Sequence, residues 1–152
     1  IAVFAINKDL KLVIDDHFKD IRIQPLMQSV WTHLYRRSYA GPRRKLYAYF
    51  HEKRMEVFSF QQNRFRFSNS YEATNEHDAL YYLLYIWKLI GMDVEKDELY
   101  IVGDIPYQDW LMEKVKQHLK FCRVINQEVY FNNSQLAKRT DIPYDIKTIY
   151  LE

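Results

Sequence analysis

The sequence predicts an α/β protein in which helices flank a mixed sheet, and three observations carry that expectation. From Lys45 onward, three strand-length apolar runs follow one another with only short polar tracts between them. A helix, a short strand, a second helix and another strand come next, giving a βββαβαβ order. The later strands are joined through helical stretches of about a dozen residues, the kind of crossover that returns the chain parallel to the strand it left.

Residues 1–40 precede this series as a separate block. Ile1–Ile6 is expected to be a strand, and Leu10, Val13, Ile14, His17 and Phe18 follow at helical spacing. Ile21-Arg22-Ile23 alternates as a short strand, and Pro25 suits the first turn of a helix. Leu26, Met27, Val30, Trp31, Leu34 and Tyr35 then lay an apolar stripe along that helix. Ser38–Arg44, with its Gly, Pro and two Arg, is the linker. The expected division is therefore a partial first subdomain over 1–40 (strand–helix–strand–helix) and a main subdomain over 45–152 with a C-terminal extension.

The main subdomain opens with Leu46–His51, Met55–Phe60 and Phe65–Tyr71. Leu46, Ala48 and Phe50 should share one face, opposite Tyr47 and Tyr49. Phe65, Phe67 and Tyr71 should likewise share a face opposite Arg66, Ser68 and Ser70. The polar tracts between these runs are short enough for hairpins, so the three strands should be antiparallel. Thr74 or Asn75 caps the strongest helix of the chain, Glu76 and Asp78 complement its dipole, and Gly91 stands where a left-handed C-terminal cap belongs. Leu99–Val102 is continuously apolar, as strands buried on both faces are. Gly103-Asp104-Ile105-Pro106 turns into a helix with Trp110, Leu111, Val115, His118 and Leu119 on its inner side, and Cys122–Ile125 is the last strand of the series. Beyond it, Glu128–Phe131 reads as a strand, Ser134–Arg139 as a short capped helix, and Ile146–Leu151 as an extended tail.

Composition narrows the function classes. A net charge of +2 over 152 residues gives no global electrostatic attraction for nucleic acid or an anionic membrane. The 13 Tyr and 9 Phe favour packing and an interface, because Tyr suits partly wet boundaries. A single cysteine, Cys122, allows no internal disulfide and no zinc site of its own; lying in an apolar run, it is expected to be a buried hydrophobe in a reducing, cytoplasmic setting. No apolar run reaches the roughly 18 residues of a membrane span, and Ile1–Ile6 is too short for a signal peptide. The sequence does not start with Met, as expected of a piece of a longer protein.

The stretches Lys45-Leu46-Tyr47-Ala48-Tyr49-Phe50, Phe67-Ser68-Asn69-Ser70-Tyr71, Asp78–Leu84 and Leu99-Tyr100-Ile101-Val102-Gly103-Asp104-Ile105 resemble an uncharacterised family, a domain-of-unknown-function group found in Bacteroidetes. Its members look like divergent actin-like ATPases, and the βββαβαβ order is that of the ribonuclease-H-like, or actin-like ATPase, fold. The resemblance implies a cleft between two subdomains. Each half would offer a hairpin with an acid and glycines that let backbone N–H groups approach phosphate. Here the first hairpin is His51-Glu52-Lys53-Arg54, without Gly or a preceding Asp, and positions 46–50 contain none of the carboxylates a ribonuclease-H-like nuclease needs for metal.

Candidate sites are accordingly few. Gly103 and Asp104 follow a buried strand at the end where ligands sit in open α/β sheets, and they are the nucleotide-binding candidates. Glu76, His77 and Asp78 are dense in acid and imidazole but diverge by roughly 100° per residue on a helix, so capping explains them better than a metal. His17, His33, His51 and His118 show no ligand spacing. Arg36, Arg37, Arg43, Arg44, Lys45, Lys53 and Arg54, interleaved with Tyr35, Tyr39, Tyr47 and Tyr49, form the one tract that a single-stranded nucleic acid could use. The expected function is that of a non-catalytic actin-like module that binds protein, with no cofactor, no metal and exposed aromatics near Tyr144–Tyr150 as anchors. The alternative is an ATPase that binds ATP with magnesium and completes its site with a half outside this chain.

Overall fold

The computed structural model describes residues 3–62, 64–132 and 134–150. Five strands form one sheet in the order β3-β2-β1-β4-β5: β1 is Lys45–His51, β2 Arg54–Gln61, β3 Arg64–Glu72, β4 Glu98–Gly103 and β5 Phe121–Val124. β1, β2 and β3 pair antiparallel, while β4 pairs parallel to β1 and β5 parallel to β4. The mixed α/β sandwich expected from the sequence is the one that forms.

The two faces of the sheet carry two cores. Leu46, Ala48 and Phe50 of β1 point to one face, with Met55, Val57, Leu99 and Ile101. Helices α3 (Glu76–Leu89) and α4 (Gln108–Lys116) cover that face through Leu83, Ile86, Trp87, Leu111 and Val115. Tyr47 and Tyr49 point to the other face, with Phe58, Phe60 and Val102. There, α2 (Leu26–Ser38) supplies Val30 and Leu34, and α6 (Tyr144–Tyr150) supplies Tyr144. β1 is buried on both faces because it lies at the sheet's centre, which explains why it reads as almost unbroken apolar sequence. Asn75 caps α3 by accepting from His77 and Asp78 N–H, and Gly91 takes φ +62° just beyond its end.

Several expectations are corrected. Residues 3–6 and Ile21–Ile23 are not strands, and only the helix between them, α1 (Lys8–His17), forms; Ile1 and Ala2 lie outside the described residues. A strand needs a hydrogen-bonded neighbour, and neither run has one here. Phe65 lies on the opposite face from Phe67, because Ser59 pairs with Phe67 while Phe60 pairs with Phe65, leaving Arg66 as the extra residue of a bulge. Phe65 consequently packs on Trp31 and Phe60, on the α2 side. Gln127–Tyr130 is a helical turn, α5, capped by Asn126, rather than a strand. Ser134–Arg139 makes turns rather than a helix, and the described part of the tail is α6 rather than extended chain. His118 is exposed beyond the end of α4 instead of facing inward.

Candidate functional site

The parallel strands β1, β4 and β5 end together, and a cleft of about 450 Å³ opens there. Tyr49, Phe50, Gly103, Asp104 and Ile125 form its sheet side; Asn126–Glu128, the 137–143 loop, Tyr144 and Lys147 form the rest. Both sequence candidates therefore line the cleft. Gly103 has φ +100°, and a Cβ there would meet Phe50 O at 2.0 Å and Tyr49 Cε2 at 2.9 Å. The glycine is what lets the end of β4 lie this close beside Phe50 of β1, so its packing role stands without any ligand. Asp104 N–H donates to Phe50 O at 2.9 Å, and Ile105 N–H donates to Gly103 O at 3.1 Å, which fixes the turn. The side chain of Asp104 is exposed and also lines a neighbouring hollow of about 310 Å³ beside the β1–β2 hairpin.

Sequence reasoning missed the wall opposite. Lys147, only 3% exposed, reaches the cleft from α6, and its Nζ donates to Gln127 Oε1 at 2.8 Å and to Ala137 O at 3.3 Å. Burial lowers its pKa, partly offset by Asp141 and Glu128. Asp145, also buried, lies close enough to Tyr49 for its charge to act on the phenol. Burial first, then the Asp145 charge, raises the Tyr49 pKa and keeps the phenol neutral. Tyr49 stacks on His51 with ring centres 4.8 Å apart, and His51 Nε2 lies 3.5 Å from Glu56 Oε1, which also accepts from Ser70 Oγ at 2.7 Å. Tyr49 and Asp145 lie about a hundred residues apart, so the helix at 144–150, read above as a tail, is the signal that would have pointed to that pairing.

Large pKa shifts carry groups away from neutrality: His33 falls to about 4 through burial and the Arg37 and Arg36 charges, and burial pushes Cys122 up to about 12. Burial, then the Glu98 carboxylate, pushes Tyr100 up to about 12. A general acid or base needs the reverse, a value brought toward the working pH, and within the cleft the lowered pKa of Lys147 runs in that direction. Among the described residues no group of three or more His, Cys, Asp or Glu could hold a metal ion. The hairpin tip at Glu52 and Lys53 keeps two side chains at positive φ, 45° and 61°, and the Lys53 carbonyl is taken by Ala73 N–H at 2.9 Å.

The basic tract is dispersed by the fold. Tyr47 and Tyr49 are buried, so neither can stack on a base. Lys45 is buried too and donates to the Ser38 and Ala40 carbonyls. Arg44 binds the Gly91 and Ile90 carbonyls at the end of α3, and Arg43 pairs with Glu98. Cys122 is buried, its Sγ 3.7 Å from Met112 Sδ, as its apolar setting implied. Glu76, His77 and Asp78 occupy the first turn of α3, where Asn75 uses two of their N–H groups. Of the residues proposed as anchors near the C terminus, Tyr150 is 73% exposed but Tyr144 is buried in the second core.

A five-stranded mixed sheet in this order, covered on both faces and opening a cleft at the carboxyl ends of its parallel strands, defines an α/β protein of the actin-like ATPase architecture. Its similarity to a solved Bacteroides thetaiotaomicron VPI-5482 protein "with actin-like ATPase fold and unknown function" supports that class, with a TM-score of 0.76 over 95% of this chain at 22% identity. The chain spans about half of that structure, covering 51% of it. The family model described as "Protein of unknown function (DUF3822)" matches residues 1–122, and the chain belongs to that family. No curated protein matches the chain. No helix of the described residues is long and apolar enough to cross a membrane.

Proposed function

We propose that the chain is a non-catalytic member of the actin-like architecture and acts as a protein-interaction or scaffold module in the cytoplasm. The observation that carries this reading is the β1–β2 hairpin. The resemblance to actin-like ATPases would require bare backbone at this hairpin to approach phosphate; Glu52 and Lys53 instead carry side chains there, and the Lys53 carbonyl is taken by Ala73 N–H just beyond β3. A cytoplasmic setting suits the lone buried thiol of Cys122. Outward-facing aromatics offer contact area: Tyr81 and Tyr85 stack on the exposed side of α3 with ring centres 6.0 Å apart, and Leu89 continues their row.

A second reading is favoured by one specific observation, the cleft of about 450 Å³ that Gly103, Asp104 and Lys147 line together. It would make the chain a nucleotide binder that takes ATP with magnesium, sharing its site with a further half. Thermal denaturation with millimolar Mg-ATP separates the two. A midpoint shift below about 1 °C is expected for the first reading. A shift of several degrees that Asp104→Ala abolishes would establish the second and sink the first.

A further inference from the structure

We propose that the free edge of β3 takes up an extended, acidic segment of a partner protein as a sixth strand, seating that segment's apolar side chains on the aromatics beside the edge. The inference rests on the protein-interaction reading above and gives the partner a chemistry and a place. β3 ends the sheet, so alternate residues along it turn backbone N–H and C=O groups away from β2. Among the described residues no other element bonds those groups; within the strand, Asn69 Oδ1 accepts the Ser70 N–H at 2.9 Å.

The bulge at Arg66 gives this edge apolar surface on both faces. It turns Phe65 to the α2 side, where Trp31, Thr32, Tyr35 and Phe60 complete a hollow of about 320 Å³. Beyond the bulge, Phe67 and Tyr71 keep to the α3 side, and Tyr71 packs on Tyr82 with ring centres 4.6 Å apart. Phe65 is 53% exposed, and Phe67, Tyr71 and Tyr82 are half-buried, so all four retain surface to cover. Phe67–Glu72, regularly paired to β2, is of ordinary strand length. Side chains of an added strand alternate between faces, and here each face meets them with an aromatic.

Charge selects the occupant. Arg64 and Arg66 are exposed, and neither has an ion pair or a hydrogen-bonded side-chain partner among the described residues. Two such guanidiniums favour a segment bearing carboxylates, which they can meet bidentately. They oppose a cationic ligand, which aromatic hollows otherwise suit. Single-stranded nucleic acid needs open ring faces, whereas Phe65 is inclined 60° to Trp31 and 63° to Phe60, and it makes no use of a row of strand amides. A second copy of this chain would bring two further arginines against Glu72, the one acid on β3.

Panning a random-octapeptide display library on the complete chain, then titrating the selected synthetic peptides by fluorescence anisotropy, tests it. The selected peptides are expected to be rich in Asp or Glu and in aromatic or branched apolar residues. Arg64→Glu with Arg66→Glu should weaken their binding at least about 10-fold at an unchanged urea midpoint, which shows that the variant still folds. Methylating alternate backbone amides of the peptide should weaken it by a similar factor, and amides along 67–72 should exchange at least about 10-fold more slowly in the complex. A library that yields no binder, or only basic ones, overturns the inference, as does an oligothymidylate that displaces the peptide. Dimer mass in sedimentation that the double variant abolishes would assign the edge to a second copy instead. Peptides indifferent to the arginines, protecting the Tyr81 and Tyr85 face, would sink the edge site while the interaction reading stands; that broader reading fails separately, on the Mg-ATP shift.

Discussion

Gly103 shows how one residue can be decided by its backbone alone. A methyl group there would sit 2.0 Å from the Phe50 carbonyl oxygen, in the central strand, where neither partner can move aside. Gly103→Ala is expected to cost at least about 3 kcal/mol in urea denaturation; a loss under about 0.5 kcal/mol would refute the close approach. His33 is the opposite case, a side chain decided by its surroundings. It is 3% exposed, its ring centre 4.9 Å from that of Phe131, and its pKa lies at about 4 against 6.5 in the unfolded chain. The folded state thus resists protonation. The associated stability is complete above about pH 6.5, is lost as pH falls toward 4, and amounts to roughly 3 kcal/mol. Chemical denaturation of wild type and His33→Phe across that window should show a steeper decline for wild type, and parallel curves would contradict the assignment.

At the scale of elements, the β1–β2 hairpin holds a two-residue turn with Glu52 and Lys53 both at positive φ, where Asn-Gly is the favoured pair. Glu52→Asn with Lys53→Gly should therefore stabilise the protein by about 1 kcal/mol, read as a higher urea midpoint at unchanged slope. A lower midpoint would mean that the native side chains contribute contacts outweighing the strain. The elements also show what a single sequence makes legible. The strands of the main unit and α3 were readable because alternation, turns and caps are local signals. The bulge at Arg66 was not, since one unpaired residue flips a face without leaving a compositional mark. α6 was misread as extended because Ile146, Ile149 and Tyr150 are apolar in either conformation; what fixes the helix is Tyr144 and Thr148 packing under α2, where Thr148 Oγ1 donates to Ser29 Oγ at 3.0 Å.

For the molecule as a whole, β1 belongs to both cores, so helices on either face depend on the same strand. The cleft lies where that shared sheet ends, and α5, the 137–143 loop and α6 close it on the far side. A ligand seated there would tie the sheet to the α6 layer and raise the unfolding temperature. At a hundred times its Kd it would add about 2.7 kcal/mol, which is why the thermal response to Mg-ATP is a sensitive measure. Candidate-site legibility followed the same division. Gly103 and Asp104 stood out because they interrupt an apolar strand, whereas Lys147, Asp145 and Tyr49 meet only when chain segments about a hundred residues apart close on each other.

The sequence by itself determined the order of the main-unit elements, the antiparallel and parallel pairings, the two faces of β1 and the glycine turn after β4. Each of these follows from periodicity, loop length or a backbone angle that neighbouring residues impose. Tertiary structure alone decided the bulge that turns Phe65, the helical C terminus, the cleft wall at Lys147 and the exposure of residues 3–24. Those features depend on which surfaces meet in space, and a strand-like run without a neighbour to bond remains an unpaired segment.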